Sequence, residues 1–432
     1  MNGLLVIFCV MFLIISWYRR DYALSMITLL LPSYLIRFKI AFLPSTVLEI
    51  MILIVFSVWL IKTLSDKSGS GRWLARLWFP WRWPVLLFLL AGTIAVIISP
   101  DTRQALGLWK AYIVEPVLLY LVFVNSIKTS KQIKMIVFSF GISLAFISLI
   151  AIWQYIGWME IPGGYGYEVP KRATSVFPFP TAVGKYVGPL LGLFLGLALV
   201  KNSNEKNKES TGGSAFWKNA FLWGVILLSI IALALSFSRG ALVGVFAGIL
   251  FISIFSKWKK IILAGIIVAV LSVFAIPATR NNIIDVFNAS DTSTDVHLVM
   301  WKGAVRIIKD NPITGTGLAS FPVVYDQYKE ASHTEYFPNP DHLILSLWIE
   351  MGLAGLIIFT WIVVRFFKSG VRIIKQDRKW AVALLASMIV ILVHGLIDTP
   401  YFKNDLAAMF WLLIGLMVVI ENNNHSEKYL EE

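Results

Sequence analysis

Cysteine is nearly missing from this chain of 432 residues: Cys9 stands alone, inside an apolar run. One cysteine excludes an intrachain disulfide and makes a thiolate metal site or a thiol nucleophile implausible. Charge is also scarce, at 15% of residues, and there are only five histidines. No glycine-rich phosphate loop of the dinucleotide or P-loop type is present, and no Asp and His spacing suits a metal ion; Asp291 and Asp295 are expected in turns. No cofactor is therefore expected. No basic stretch precedes the first apolar run and no small-residue cleavage pattern follows it, so residues 3–18 are expected to remain as a span.

What fills the chain instead is hydrocarbon. Apolar residues make up 58% of it and the mean hydropathy is +0.75, above the roughly 45–50% apolar content of soluble domains. Repeated runs approach the ~20 residues a helix needs to cross a bilayer. The expected fold is all-α, a polytopic transmembrane bundle with spans at 3–18, 22–36, 40–61, 84–100, 111–126, 135–157, 181–200, 220–238, 240–256, 261–277, 341–364, 380–397 and 406–420. That makes thirteen, or twelve if the short second run does not cross. The organisation is then 1–277 as N-terminal membrane helices, 278–340 as one large extracytoplasmic loop, 341–420 as C-terminal membrane helices and 421–432 as a cytoplasmic tail. Segments 65–71 and 201–211 read as polar linkers.

The net charge of +13 would suit nucleic acid, but its distribution speaks against that partner. Most Lys and Arg lie in short loops that the positive-inside rule sets in the cytoplasm, which leaves 158–180 and 278–340 on the outer face. The informative cations are the exceptions: Lys110, Arg172, Lys185 and Arg239. An unpaired cation at the bilayer centre costs at least ~2.5–3.5 kcal/mol, so such residues face a cavity, a partner or the interface. For Lys110 and Lys185, snorkelling to the headgroups and a functional role both stand. For Arg239, between two spans with almost no loop, an anion site is the favoured reading.

The outer segment contains an amphipathic pattern over 296–310. Val296, Met300, Ala304 and Ile308 form one stripe and Lys302, Arg306 and Lys309 another. Such a helix is expected to lie at the membrane surface, and its basic stripe can also hold phosphates. Gly315-Thr-Gly317 allows close approach of backbone to backbone or to ligand. Phe321, Tyr325, Tyr328, Tyr336 and Phe337 suit either sugar stacking or an interfacial belt. Chemistry is expected where the next helix starts, at Asp341-His342. His342 can act as general base, while Asp341 is read first as a helix N-cap and otherwise as a group that orients or replaces the imidazole. Glu350, about 12 Å further down the helix, lies too deep to share the task. His394, Asp398 and Lys403 form a second polar cluster.

These pieces together resemble the O-antigen ligase and polymerase superfamily of bacterial membrane glycan transferases. The resemblance rests on Arg172-Ala-Thr174 with Phe177 and Pro180, and on Ser238-Arg239-Gly240-Ala241. It continues with Trp301-Lys-Gly-Ala304, Lys309-Asp-Asn-Pro312-Ile-Thr-Gly315-Thr-Gly317 and Phe321, then Leu345, Trp348, Glu350, Gly352 and Gly355, over roughly residues 170–420. One departure is visible. Counting back from Gly352, Asp341 stands where the family has His, and His342 where it has Asn.

The resemblance implies a GT-C-like, metal-independent, inverting glycosyltransferase of the bacterial inner membrane, with its site on the extracytoplasmic side. It would move a glycan from undecaprenyl diphosphate to a hydroxyl of a glycan or lipid acceptor. The ligase reading has the polymerase as its alternative, and a lipid-linked glycan flippase as the alternative from another class. Arg172, Arg239, Arg306, Lys302 and Lys185 would bind the diphosphate. His342 or Asp341 would take the acceptor proton.

Overall fold

The computed structural model describes residues 3–40, 43–65, 78–201, 213–275, 292–329 and 337–431. Most of the two linkers, together with Asp291 and Tyr336, lies outside them. Fifteen helices follow in order among the described residues: α1 Gly3–Tyr18, α2 Arg20–Leu29, α3 Val47–Ser65, α4 Arg82–Ile98, α5 Thr102–Ser126, α6 Ser130–Tyr155, α7 Pro180–Leu199, α8 Gly213–Ser236, α9 Arg239–Phe255, α10 Lys259–Ala275, α11 Thr292–Asp310, α12 Phe321–Tyr325, α13 Leu343–Ile373, α14 Arg378–His394 and α15 Asn404–Glu431. Seven of these (α3, α5, α6, α7, α8, α13 and α15) are long and apolar enough to cross a membrane, and α1, α4 and α9 are shorter apolar helices. The all-α polytopic expectation holds.

Several expected boundaries shift: α5 begins before the expected 111, α13 runs past 364 and α15 past 420, and two further shifts have a local cause. The run 22–36 is no span: α2 ends at Leu29, because Pro32 disfavours helix in the residue before it, and Leu31–Leu35 continues as a tight 3-10 turn. The run 40–61 starts late. Arg37–Ile40 (β1) pairs antiparallel with Leu43–Thr46 (β2), and α3 begins only at Val47. The stop is a reciprocal capping box in which the Glu49 amide donates to Thr46 Oγ1 at 3.2 Å and the Thr46 amide donates to Glu49 Oε2 at 3.1 Å.

Lys110 lies inside a helix rather than before one, and it does not snorkel. Its ammonium meets Glu49 at 3.1 Å and Glu115 at 4.0 Å. It opens a wider π turn over Lys110–Val114. Pro116, just beyond, has no amide hydrogen to give the Tyr112 carbonyl. The Tyr401 hydroxyl donates to that carbonyl instead, at 2.8 Å.

The centre of the bundle is α7 with α9 and α14. In α7 a glycine recurs every fourth residue, at 184, 188, 192 and 196, and the stripe removes the side chains that would hold the neighbours off. A Cβ added at Gly196 would stand 2.4 Å from Ala383 Cα, and one at Gly184 2.6 Å from Ser238 Cβ. Because α9 reaches α14 in the same way through Gly240, Gly244 and Gly248, the three helices pack almost backbone to backbone.

The segment between α11 and α12 is stitched into α13. Gly352 leaves helical geometry at φ 69° and ψ −178°, which opens one step of the helical ladder. The freed Ile349 carbonyl accepts the Thr316 amide at 2.7 Å, and the freed Leu353 amide donates to Ile313 O at 3.0 Å. Both groups orphaned by the break are thus satisfied by the loop. Leu318 then pairs with the end of α4: its amide donates to Ala95 O at 3.1 Å, and Ser99 Oγ donates to its carbonyl at 2.6 Å. Gly315-Thr-Gly317 therefore serves approach of backbone to backbone. Glu350 accepts the Ala319 amide at 3.2 Å in the same joint.

α11 is not a surface-lying helix. Its apolar face of Met300, Ala304, Ile307 and Ile308 is covered by Phe321, Tyr325 and Ile349. Phe321 and Tyr325 are themselves buried, and the Tyr328 hydroxyl donates to Asp310 at 2.7 Å, so these rings pack rather than offer a sugar platform. Asp295 sits in the first turn of α11, where an acid complements the helix dipole, and not in a loop turn.

Candidate active site

The site forms where the start of α13 docks on the segment after α14. The Leu343 amide donates to Gly395 O at 2.7 Å. Asn339 Oδ1 accepts both the Asp341 amide at 2.9 Å and the Thr399 hydroxyl at 3.0 Å. This joint carries Asp341 to Asp398, 57 positions later in sequence.

Asp398 is the hub. Lys185, buried in α7, donates to it at 2.8 Å, the Thr399 amide donates to it at 2.6 Å, and His394 Nε2 lies 3.9 Å away. Burial pushes Asp398 up, but Lys185, His394 and the hydrogen bonds outweigh it and hold the carboxyl below the usual range. The Lys185 ammonium, which also lies 5.2 Å over the Phe179 ring, points into the protein and does not snorkel.

Asp341 is different. Its backbone sits at φ 42°, in the left-handed region, and its side chain is half-buried. Burial and then the Asp398 charge push its pKa up to about 7, against the pull of Lys185. At neutral pH this carboxyl is poised between acid and base.

The helix cap is His342 and not Asp341, because the chain turns one residue later than the spacing suggested. Its Nδ1 accepts the Leu345 amide at 3.5 Å, a long bond. The ring packs edge-on against Trp301, 5.3 Å between centroids, and Trp301 in turn lies 5.8 Å from His297. Trp301 is fixed by donating Nε1–H to Pro340 O at 2.9 Å.

His297 is a residue the sequence reading passed over. It stands on the same face of α11 as Trp301 and Ala304, and its Nδ1 is buried with no hydrogen-bond partner among the described residues. Burial holds its pKa below the ordinary value; Asp398 pulls it up and Arg239 pushes it down, so all three share one electrostatic neighbourhood. A histidine one turn before the Trp301 motif was the available signal.

Arg239 opens α9 after a turn of two residues, Phe237 and Ser238, with Phe237 at φ 50°. It is exposed. The Ser238 side chain makes no capping bond, so the first-turn amides of α9 are not taken up by it. Gly240 packs against the imidazole of His394, where an added Cβ would stand 2.7 Å from Cδ2. Arg172 holds the other side of the same turn, donating Nε–H to Ser236 O at 3.3 Å.

The structure therefore gathers Asp341, Lys185, His394 and Asp398; His342 follows Asp341 in the chain, and the turn carrying Arg239 and Arg172 packs on His394 through Gly240. Lys403 lies at the edge, 3.5 Å from Asp405 and 4.0 Å over the Phe177 ring; burial brings its pKa down to about 8. Lys302 and Arg306 are not gathered. They are exposed and stand ~140° and ~180° around α11 from His297, and Arg306 donates to Tyr328 O at 3.3 Å.

The O-antigen ligase family model matches residues 224–360. The matched stretch holds Arg239, His297, Trp301, Asp341 and His342, whereas Arg172, Lys185, His394 and Asp398 lie outside it. A comparison with curated proteins finds no match. This stretch runs from α8 to the middle of α13 within a polytopic helical bundle, and over it the chain is similar to the O-antigen ligase family.

Proposed function

We propose that the protein transfers a glycan from an undecaprenyl diphosphate carrier to an acceptor hydroxyl, at the extracytoplasmic face of the bacterial cytoplasmic membrane. One observation carries the reading: an exposed arginine at the start of α9 and the Asp398 carboxylate both act on the half-buried imidazole of His297, and Asp398 in turn raises the Asp341 carboxyl to about 7.

The donor's anomeric C–O bond breaks with its electron pair going to the diphosphate. The Arg239 guanidinium and the first-turn amides of α9 donate to that growing charge, as helix N-termini do for phosphates. Donors of this kind are worth about 2.7–4 kcal/mol of barrier each. Arg172 holds the turn in place through Ser236 O. The acceptor hydroxyl loses its proton to Asp341 or to neutral His297, and its oxygen attacks opposite the leaving diphosphate, which inverts the anomeric carbon. Lys185 and Asp398 set the charge around Asp341 and need not touch substrate. The bond broken is already activated, so no nucleotide enters, and the leaving group is met by one guanidinium cation and by neutral backbone amides.

Transfer to a distinct acceptor makes the protein a ligase; transfer to a second lipid-linked unit would make it a polymerase. Purified protein reconstituted with a labelled polyprenyl-diphosphate glycan and candidate acceptors separates the two by product: one modified acceptor, or a ladder of lengthened carriers. In that assay Arg239→Ala lowers turnover about 10²–10³-fold. Full activity in this variant would reject the assigned role.

A further inference from the structure

The helices that build the site also build a second one at their other ends. A cavity of about 490 Å³ lies between the first turns of α6 and α14, the last turns of α7, and parts of α8 and α15. Its inner wall is apolar, with Phe138, Phe194 and Phe221 in the lining. Phe138 and Phe221 pack with centroids 4.7 Å apart, and Phe138 stays 51% exposed. Gly141 lets Phe194 and Phe221 close on α6, since a Cβ there would lie 2.9 Å from Phe221 and 3.0 Å from Phe194.

The rim is polar and cationic. Lys134 and Lys379 line it with Ser130 and Asn424. One carboxylate, Asp377, also lines it; its Oδ1 accepts the Trp380 amide at 3.4 Å, and the two lysines outnumber it. Two helix N-termini, those of α6 and α14, bring their positive dipole ends to the same rim. The Asn424 amide nitrogen is buried with no partner among the described residues. An anion-attracting rim over a phenyl-lined cleft, at the end of a membrane bundle, matches one amphiphile: a negatively charged head with an alkyl chain.

We propose that this cavity binds an anionic glycerophospholipid, its phosphate at Lys134 and Lys379 and an acyl chain against Phe138 and Phe221. The site is separate from the Asp341 cluster and does not rest on the transfer chemistry. Basic pockets between membrane helices recognise anionic headgroups, each Lys adding roughly fivefold in affinity near a charged lipid surface.

The test uses the purified full chain in a neutral detergent and measures bound lipid by native mass spectrometry and the thermal midpoint. Phosphatidylglycerol, phosphatidylcholine and inorganic phosphate are added in separate arms. Expected are retention of phosphatidylglycerol over phosphatidylcholine, a midpoint raised by phosphatidylglycerol alone, and loss of the preference by roughly fivefold in Lys134→Gln and more in Lys134→Gln/Lys379→Gln. Lys134 is exposed, so the single variant folds and carries the test if the double does not. Equal retention of the two lipids, a preference unchanged in Lys134→Gln, or an equal midpoint shift from phosphate, which would make this an ion site, each overturns the proposal.

Discussion

Replacing Asp398 by Asn keeps the shape of the site and removes one charge. Lys185 would then hold its ammonium at 8% side-chain exposure with no carboxylate, where it now has one at 2.8 Å. Breaking one partner of a buried pair costs about 3–5 kcal/mol, because the remaining charge stays desolvated. Set against total stabilities of about 5–15 kcal/mol, that is a large fraction. The thermal midpoint of the detergent-purified variant, read by tryptophan fluorescence, should fall by on the order of 5 °C or more. Lys185→Met should fall comparably, whereas Lys185→Met/Asp398→Leu removes both charges and should recover most of the loss.

A second readout separates the electrostatic role from packing. With the Asp398 charge gone and Lys185 kept, Asp341 loses the neighbour that pushes its pKa up and keeps the one that pulls it down. The inflexion of the pH–rate profile should therefore move to lower pH in Asp398→Asn. A midpoint within about 2 °C of the parent, or a double variant as damaged as the sum of the singles, would refute the ion-pair argument.

The parent's activity should rise with pH through an inflexion near 7 if the Asp341 carboxylate takes the proton. Asp341→Asn abolishes that rise, and a rise that persists there but vanishes in His297→Gln assigns the base to His297 instead. The sign for stability is opposite: an acid raised in the folded state binds its proton more tightly there than in the unfolded chain, so its contribution declines as pH climbs from about 4 to 7. Asp341→Asn should accordingly stabilise the protein at pH 8 and change little at pH 4, as thermal midpoints will show. Gly352→Ala asks for φ 69° from a residue with a side chain and sets a Cβ 2.5 Å from Ile313 O. It should cost at least about 1–3 kcal/mol, with faster proteolytic cleavage in 311–319; cleavage at the parental rate would mean the loop is not held by the helix break.

Particular residues mark how far the sequence could be read. Most of the apolar runs became helices, 22–36 and the start of 40–61 excepted, because a bilayer demands long uninterrupted hydrogen-bonded segments. The late start of α3 was legible as Thr46-x-x-Glu49, and the packing face of α7 as glycine at every fourth position; both are local patterns that hydropathy alone blurs. The loop's amphipathic stripe was legible as a period but not as a partner, since period says which face is apolar and not whether lipid or protein covers it. Asp341 was read as the helix cap one residue too early because cap identity depends on where the chain turns, and Asp341 at φ 42° leaves that place to His342.

By itself the sequence determined that this chain is a helical membrane bundle, and it pointed to an arginine turn and an Asp-His helix start as the place to look for chemistry, because hydrophobic length and short motifs are local properties. Only the tertiary structure decided the company those residues keep. Lys185 and Asp398 are 213 positions apart, and His297, from a third segment, feels the charges of Arg239 and Asp398. Such partners become visible only once glycine stripes and a spliced helix break have brought distant backbones into contact.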